Sequence, residues 1–339
     1  LLASQDTITI NTPGTYIVSN TTLLGNNKSI IGGVPGVIIK KLVAFSHIFA
    51  NSLASSNGTT KNTNITISNI AFDENNLGSQ SGAVRLTANG ILYFYLMDGL
   101  TISNVSIING DNALFGVHLE NVINANITNY FYNGEKDAFH LGAGCDTITV
   151  DGFDISSKDD AFAIVVDDYP HVQSASQDTK NITIQNGISR PYTGQLGYFL
   201  RLVTGSWLTW SSGNSYDIGH ICVNSGNIYK KYNASSMVAS VAPTHTSGMI
   251  TGADGIQWNW IGAGVNTTSN ISNVTLHNIT LSDGRKISRI DDEDTYNHCV
   301  YPGTENTSIV DNLSFPFSLA SGIWQSSGLV GTVNFDQLP

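Results

Sequence analysis

A nine-residue unit recurs along the chain: NITISNIAF from Asn64, LTISNVSII from Leu100, NITNYFYNG from Asn126, TITVDGFDI from Thr147, NITIQNGIS from Asn181 and NVTLHNITL from Asn273. Each alternates β-branched with polar residues for about four positions, breaks at Asn, Asp or Gly, and resumes a second short alternation. Alternation with period two puts one set of side chains on each side of a strand, and the polar break bends the chain. The units at Asn126 and Thr147 are 21 residues apart, and longer intervals read as insertions between coils. A period of roughly 20–25 residues, made of short strands without helical patterning, predicts an all-β solenoid. The expected fold is a right-handed, single-stranded parallel β-helix, with Ile, Val, Leu and Phe stacked inward and Thr, Ser and Asn facing water. Stacked asparagines such as Asn104 and Asn186 are expected at its bends. The rival all-β fold, a sandwich of hairpins, needs Asn-Gly or Asp-Gly turns at hairpin spacing; such dipeptides occur, but not at that spacing.

The 339 residues read as one β-helix domain, with insertions near 79–98 and 207–247 and a capping region from about residue 284, where the repeat fades. The first insertion carries the aromatic run ILYFYLMDG, either a buried strand or a groove wall; the second, with SWLTWSSGN and NIYKKYNASSMVAS, reads as a side excursion. Charged residues are only 12% of the chain, and the net charge of -11 reflects scarce Lys and Arg. No basic stripe is left for a phosphate backbone, so nucleic acid is not an expected partner. No apolar run is long enough for a bilayer-spanning helix, and LLASQDTITI has no basic residue ahead of an apolar segment, so a soluble chain is expected. Cys145, Cys222 and Cys299 are far apart and lack metal-ligand spacing; at most one disulfide and no structural zinc are expected. Fourteen Asn-X-Ser/Thr sequons, among them Asn64, Asn104, Asn126, Asn181, Asn273 and Asn278, are either glycan sites of a secreted glycoprotein or a by-product of Asn-rich bends beside Thr-rich strands. Both fit an extracellular location, secreted or on a virion or cell surface.

Against this sparse charge, SSKDDAFAIVVDD from Ser156 sets Asp159 beside Asp160, and Asp137 in GEKDAFH lies 22 residues before Asp159, about one coil. Stacked strands are roughly 4.8 Å apart, so coil geometry gathers three carboxyl groups on the outside of the helix at a strand end. Like charges at that range make at least one carboxyl hold a proton near neutrality, which suits acid–base chemistry. Glycoside hydrolysis uses such a pair, and an inverting enzyme leaves roughly 6.5–9.5 Å between acid and base for water, a gap expected from adjacent rungs. The alternative is a set of solvated turn acids neutralised by Lys136 and Lys158.

The stretch GEKDAFHLGAGCDTITVDGFDISSKDDAFAI, Gly134 to Ile164, resembles the core of the family 28 glycoside hydrolases, the polygalacturonase group, which have a pectin-lyase-like solenoid. In that family a single Asp in an Asn-Thr-Asp-Gly-like motif is followed one coil later by Gln-Asp-Asp-Cys. By the resemblance Asp137 takes the single place, Asp159 and Asp160 the pair, and Ala161 replaces the Cys. Asp159 is then the general acid, with Asp137 and Asp160 holding the water. GYFLRL, from Gly197, sits where the family has Gly-His-Gly before a strand, with Tyr198 in place of the His. DGIQWNW, from Asp254, resembles the segment with the family's Arg-Ile-Lys, with Gln257 and Asn259 in place of the cations. A uronate carboxylate would lose its charge-assisted partners there, so the substrate implied is a neutral or amino-sugar polysaccharide. Trp258 and Trp260 alternate with those two residues, either as exposed platforms for sugar rings or as core. The substrate-binding candidates are Tyr198, Arg201, Gln257, Asn259, His140 and Lys158, with His171 as a further subsite group; no metal or cofactor is implied.

Two other readings stay open. A polysaccharide lyase on the same fold would turn the three acids into calcium ligands and Arg201 or Lys158 into the base. A noncatalytic shaft or coat protein, tailspike-like and a homotrimer if virion-borne, would keep the acids without turnover. In each case the partner is a polysaccharide or cell-surface glycan.

Overall fold

The computed structural model describes residues 6–54, 60–77, 90–111, 113–166, 178–195, 197–203, 205–206, 208–216, 221–233, 236–264, 268–269, 271–282, 288–291, 310–314 and 325–327. Within them, strands stack in parallel and wind through three faces. The first face runs from Thr7–Ile10 and Ser29–Gly32 into Asn62–Asp73 and on through the middle of Gly90–Gly110. The second starts at Gly14–Val18 and Val37–Lys41 and shares the later halves of the same long strands. The third holds Thr22–Leu24, Phe49–Asn51, the starts of Gly90–Gly110 and Phe115–Gly134, then Phe139–Leu141, Phe162–Val165 and Leu200–Val203. Parallel strands joined by right-handed crossovers give the right-handed parallel β-helix that the repeat predicts.

The recurring unit explains each coil. In Asn64-Ile-Thr-Ile, Ile65 and Ile67 are buried in one continuous core, while Thr66 faces out toward Thr101 on the next rung. Inside the coil the rings of Phe139, Phe162 and Phe199 pack tilted and edge-on against one another, with centroids 5.9 and 5.4 Å apart. The polar break is an asparagine in the left-handed region, as at Asn69, Asn104, Asn129 and Asn186, with φ between 52° and 57°. Asn is among the few L-residues that adopt this conformation at low cost. Its amide then bonds along the axis: Asn104 donates to Asn69 at 2.9 Å and Asn129 to Asn104 at 2.9 Å, while Asn278 donates to Asn186 at 2.8 Å. Asn64, Asn181 and Asn273 build a second ladder at the entrance to the first face. Most of the named sequons therefore follow from geometry: a ladder Asn, an inward Ile or Val, an outward Thr or Ser. Asn126 is different, an exposed mid-strand residue opposite Thr101 and Thr149.

Three boundaries differ from the sequence reading. Of the expected insertion at 79–98, residues 90–98 belong to Gly90–Gly110, where Leu92, Phe94 and Met97 join the core. The aromatic run is thus a coil strand whose outward positions are also apolar, which hid its alternation. The second insertion extends well past residue 247. A short antiparallel stem, Gly205–Ser206 against Thr268–Ser269, opens a lateral sheet in the order Leu208–Thr209, Ile221–Asn224, Asn227–Lys231, Gln257–Ala263, Met249–Thr251. That sheet has its own small core of Tyr216, Cys222, Tyr229, Ile256 and Trp258. Finally, the described residues beyond 284 are further rungs and not a cap: Ser288–Asp291 continues the third face, and Val310–Ser314 crosses the bend from the first face to the second. Their strands are short and widely separated, so the repeat was not visible. Cys145 and Cys222 are buried free thiols, and Cys299 lies outside the described residues.

Candidate active site

The described coils turn from the second face to the third, and the acids occupy that turn on consecutive rungs. Asp137 lies between Phe115–Gly134 and Phe139–Leu141; Asp159 and Asp160 lie between Asp146–Ser157 and Phe162–Val165. The register Phe139↔Phe162↔Leu200 stacks Asp137, Asp160 and Tyr198 in one column. The Asp160 N–H donates to Asp137 Oδ1 at 3.3 Å, and the Tyr198 N–H donates to Asp160 Oδ1 at 2.6 Å. It is therefore Asp160, not Asp159, that stands in register with Asp137, with Asp159 beside it on the same rung. The neighbouring columns carry cross-rung ion pairs of opposite order, Lys136 to Asp159 at 2.5 Å and Lys158 to Glu135 at 2.9 Å.

Burial divides the three acids. Asp137 and Asp160 are only 4% and 3% exposed, whereas the Asp159 side chain is 36% exposed. One oxygen from each lies within 4.8 Å of the others. That is closer than the gap expected for an inverting pair, because stacking at one-rung spacing compresses the cluster. Burial, and then the charge of Asp159, raises Asp137 from 3.8 to about 7, against the pull of Lys136 and Arg201. Burial, then Asp137 and Asp159, raises Asp160 to about 8. Burial disfavours the Lys136 cation, but the surrounding carboxylates outweigh it and lift its pKa above the usual range. Three close oxygens are also a donor set of the kind hard cations use.

The backbone fixes this arrangement. A Cβ on Gly197 would fall 2.2 Å from the Asp159 carbonyl carbon and 2.3 Å from the Asp160 nitrogen, so only glycine lets that rung pass under the acid pair. Ala161, next to the acid pair, is buried in the core.

The auxiliary candidates divide. Tyr198 holds Asp160 through its backbone, and Arg201 bears electrostatically on Asp137 and Asp160. His140 is 3% exposed, placed beneath the cluster with Nδ1 2.8 Å from Asp137 Oδ2, so substrate does not meet it at the surface. Lys158 is taken up by Glu135. Gln257 and Asn259 lie in the lateral sheet, on a strand paired antiparallel with Asn227–Lys231 and Met249–Thr251, which removes their equivalence to a coil segment. Trp258 is core, and Trp260 packs beside it with Nε1 donating to Asn227. His171 lies outside the described residues. Sequence reasoning missed Phe115 and His118, although FGVHLE and DAFHLG repeat one pattern 22 residues apart. A separate groove of about 660 Å³, lined by Gly33, Pro35, Asn104 and Phe131 among others, follows the bend between the first and second faces and contains none of these acids.

No protein-family model matches the chain, and no curated protein sequence does. Among solved structures, the surface protein and adhesin PfbA of Streptococcus pneumoniae is similar over 93% of this chain and 81% of its own, with TM-score 0.49 and 12% identity. A family 28 exopolygalacturonase of Yersinia enterocolitica is similar over 97% and 72%, with TM-score 0.42 and 10% identity. A family GH82 iota-carrageenase from A. fortis is similar over 96% and 85%, with TM-score 0.40 and 11% identity. Likenesses at this level decide nothing about the site.

Proposed function

We propose that the protein is an extracellular glycoside hydrolase that cleaves a polysaccharide by inversion with Asp137, Asp159 and Asp160. The observation that carries this reading is the buried Asp137 and Asp160 pair beneath a partly exposed Asp159. Burying two adjacent carboxyls costs stability that a rigid binding shaft gains nothing from, whereas acid–base catalysis needs titration near neutrality. Asp159 is the acid that reaches the leaving oxygen. Lys136 pairs with its Oδ2, so substrate has to displace that ammonium for the leaving oxygen to reach Asp159. Asp137 and Asp160 hold the water, and the ionised member of the pair deprotonates it.

The nearest oxygens of the three acids lie within 4.8 Å of one another, so proximity by itself points to a close pair like that of retaining enzymes. Burial supports inversion: a nucleophilic carboxylate must bond a ring carbon, and the buried oxygens of Asp137 and Asp160 suit a small water better. With Gln257 and Asn259 in the lateral sheet, the case for a neutral or amino sugar falls away, and Lys136 and Arg201 place two cations at the cluster that suit an acidic sugar as well. The test is to incubate wild type and Asp159→Asn with neutral, amino-sugar and acidic polysaccharides, following reducing ends, the first-formed anomer by NMR, and ultraviolet absorbance of unsaturated products. Reducing ends from wild type alone, as the inverted anomer without that absorbance, support the reading. Unsaturated product makes the protein a lyase, and glycan binding without turnover makes it a scaffold.

A further inference from the structure

His140 faces outward from the third face, yet it is sealed from solvent. Its ring lies flat against Phe115, with centroids 3.9 Å apart and planes at 14°, and meets the edge of His118 at 5.1 Å. The side chains of His140 and Asp137 are 4% and 6% exposed. A carboxylate only accepts hydrogen bonds, so when Asp137 is ionised the proton of this 2.8 Å contact is on His140 Nδ1. The other Asp137 oxygen accepts the Asp160 N–H. Both oxygens of Asp137 thus face donors, and the stacked Phe115 ring fixes the direction of one of them.

We propose that His140 is a positioning residue that holds Asp137 as the ionised member of the buried acid pair, leaving the shared proton on Asp160. This rests on the hydrolase reading for its catalytic meaning, though not for its physical content. The groups that bear on Asp137 are Asp159 and Asp160 on the next rung, and the cations Lys136 and Arg201. The Tyr132 phenol lies close as well, and donates to the Lys136 carbonyl. Burial and the neighbouring carboxylates push both Asp137 and Asp160 well above the usual carboxylate range, so the pair holds a proton near neutrality, and the two donors on Asp137 decide where it sits.

The experiment compares His140→Phe, which keeps a ring against Phe115 but removes the donor, with His140→Gln, which keeps an N–H donor. His140→Phe is expected to lower kcat by roughly 10- to 100-fold with KM changed less than about twofold, and to move the acidic limb of the rate profile up by about one pH unit. His140→Gln is expected to recover most of the loss. An unshifted limb in His140→Phe, or equal losses in both variants, would overturn the proposal. Carboxyl titration by carbon NMR on aspartate-labelled protein, assigned with Asp137→Asn, needs no substrate. A raised Asp137 midpoint in His140→Phe supports the proposal even if no polysaccharide is cleaved, and an unchanged midpoint overturns it.

Discussion

Asp137 and Asp160 set the pH response of the protein at the scale of single residues. Both folded values, about 7 and about 8, lie above the ordinary 3.8, so the folded state keeps these protons to higher pH than the unfolded chain. The stability they add is complete below about pH 4 and is lost as pH rises through 7 to 8. Asp73 and Asp146 work in the opposite sense: burial opposes their charge, but hydrogen bonds from Asn109 and Lys40, and from Asn181 and Thr147, outweigh it and lower both. Their contribution is present above about pH 4 and fades in stronger acid. The melting temperature is therefore expected to peak in mild acid and fall as pH rises to about 8, and Asp160→Asn should flatten that fall in calorimetry. Asp159→Asn should cut kcat by roughly 100- to 10,000-fold while leaving the fold intact, because this side chain is partly exposed. Gly197→Ala should cost about 1–3 kcal/mol or more in chemical denaturation, since its methyl meets backbone that cannot move aside.

The element that repeats is a strand pair joined by an asparagine bend, and its stability resides in the ladder. Asn104 sits mid-ladder at φ 52°, donating to Asn69 and accepting from Asn129. Asn104→Ala loses both bonds and places a Cβ in a left-handed conformation, an expected cost of about 1–2 kcal/mol in urea unfolding. Asn104→Gly should cost less, because glycine occupies that conformation freely. If the two variants were equally destabilised, the bonds and not the backbone would carry the effect. The same element shows what the sequence made legible. Alternation and polar breaks exposed the coils at Asn64, Leu100 and Asn181, because inward apolar and outward polar residues differ there. The coil at Gly90 resembles an insertion in sequence, since Tyr93 and Tyr95 are buried on the outward side and erase the contrast.

For the whole molecule, the lateral sheet is the main addition to the solenoid. It leaves after Leu200–Val203 and returns to Ile271–Leu281 through a stem whose Gly205 and Ser269 are register partners. Replacing residues 206–268 by a short turn is expected to leave far-ultraviolet circular dichroism β-rich and the melting temperature within a few degrees, because the coils on either side pair with each other. A collapse of the melting transition would show that the sheet supports the helix. By itself, the sequence determined the coil, the inward and outward sets, the asparagine bends and the membership of the acid cluster, because each follows from local alternation and a near-constant period. Only the tertiary structure decided which acids are neighbours. Register is set by pairing between coils, and a one-residue offset put Asp160 under Asp137 and gave Asp159 to Lys136. It also decided that His140 is buried and that Gln257 and Asn259 belong to another sheet, since burial and strand partnership depend on residues far away in the chain.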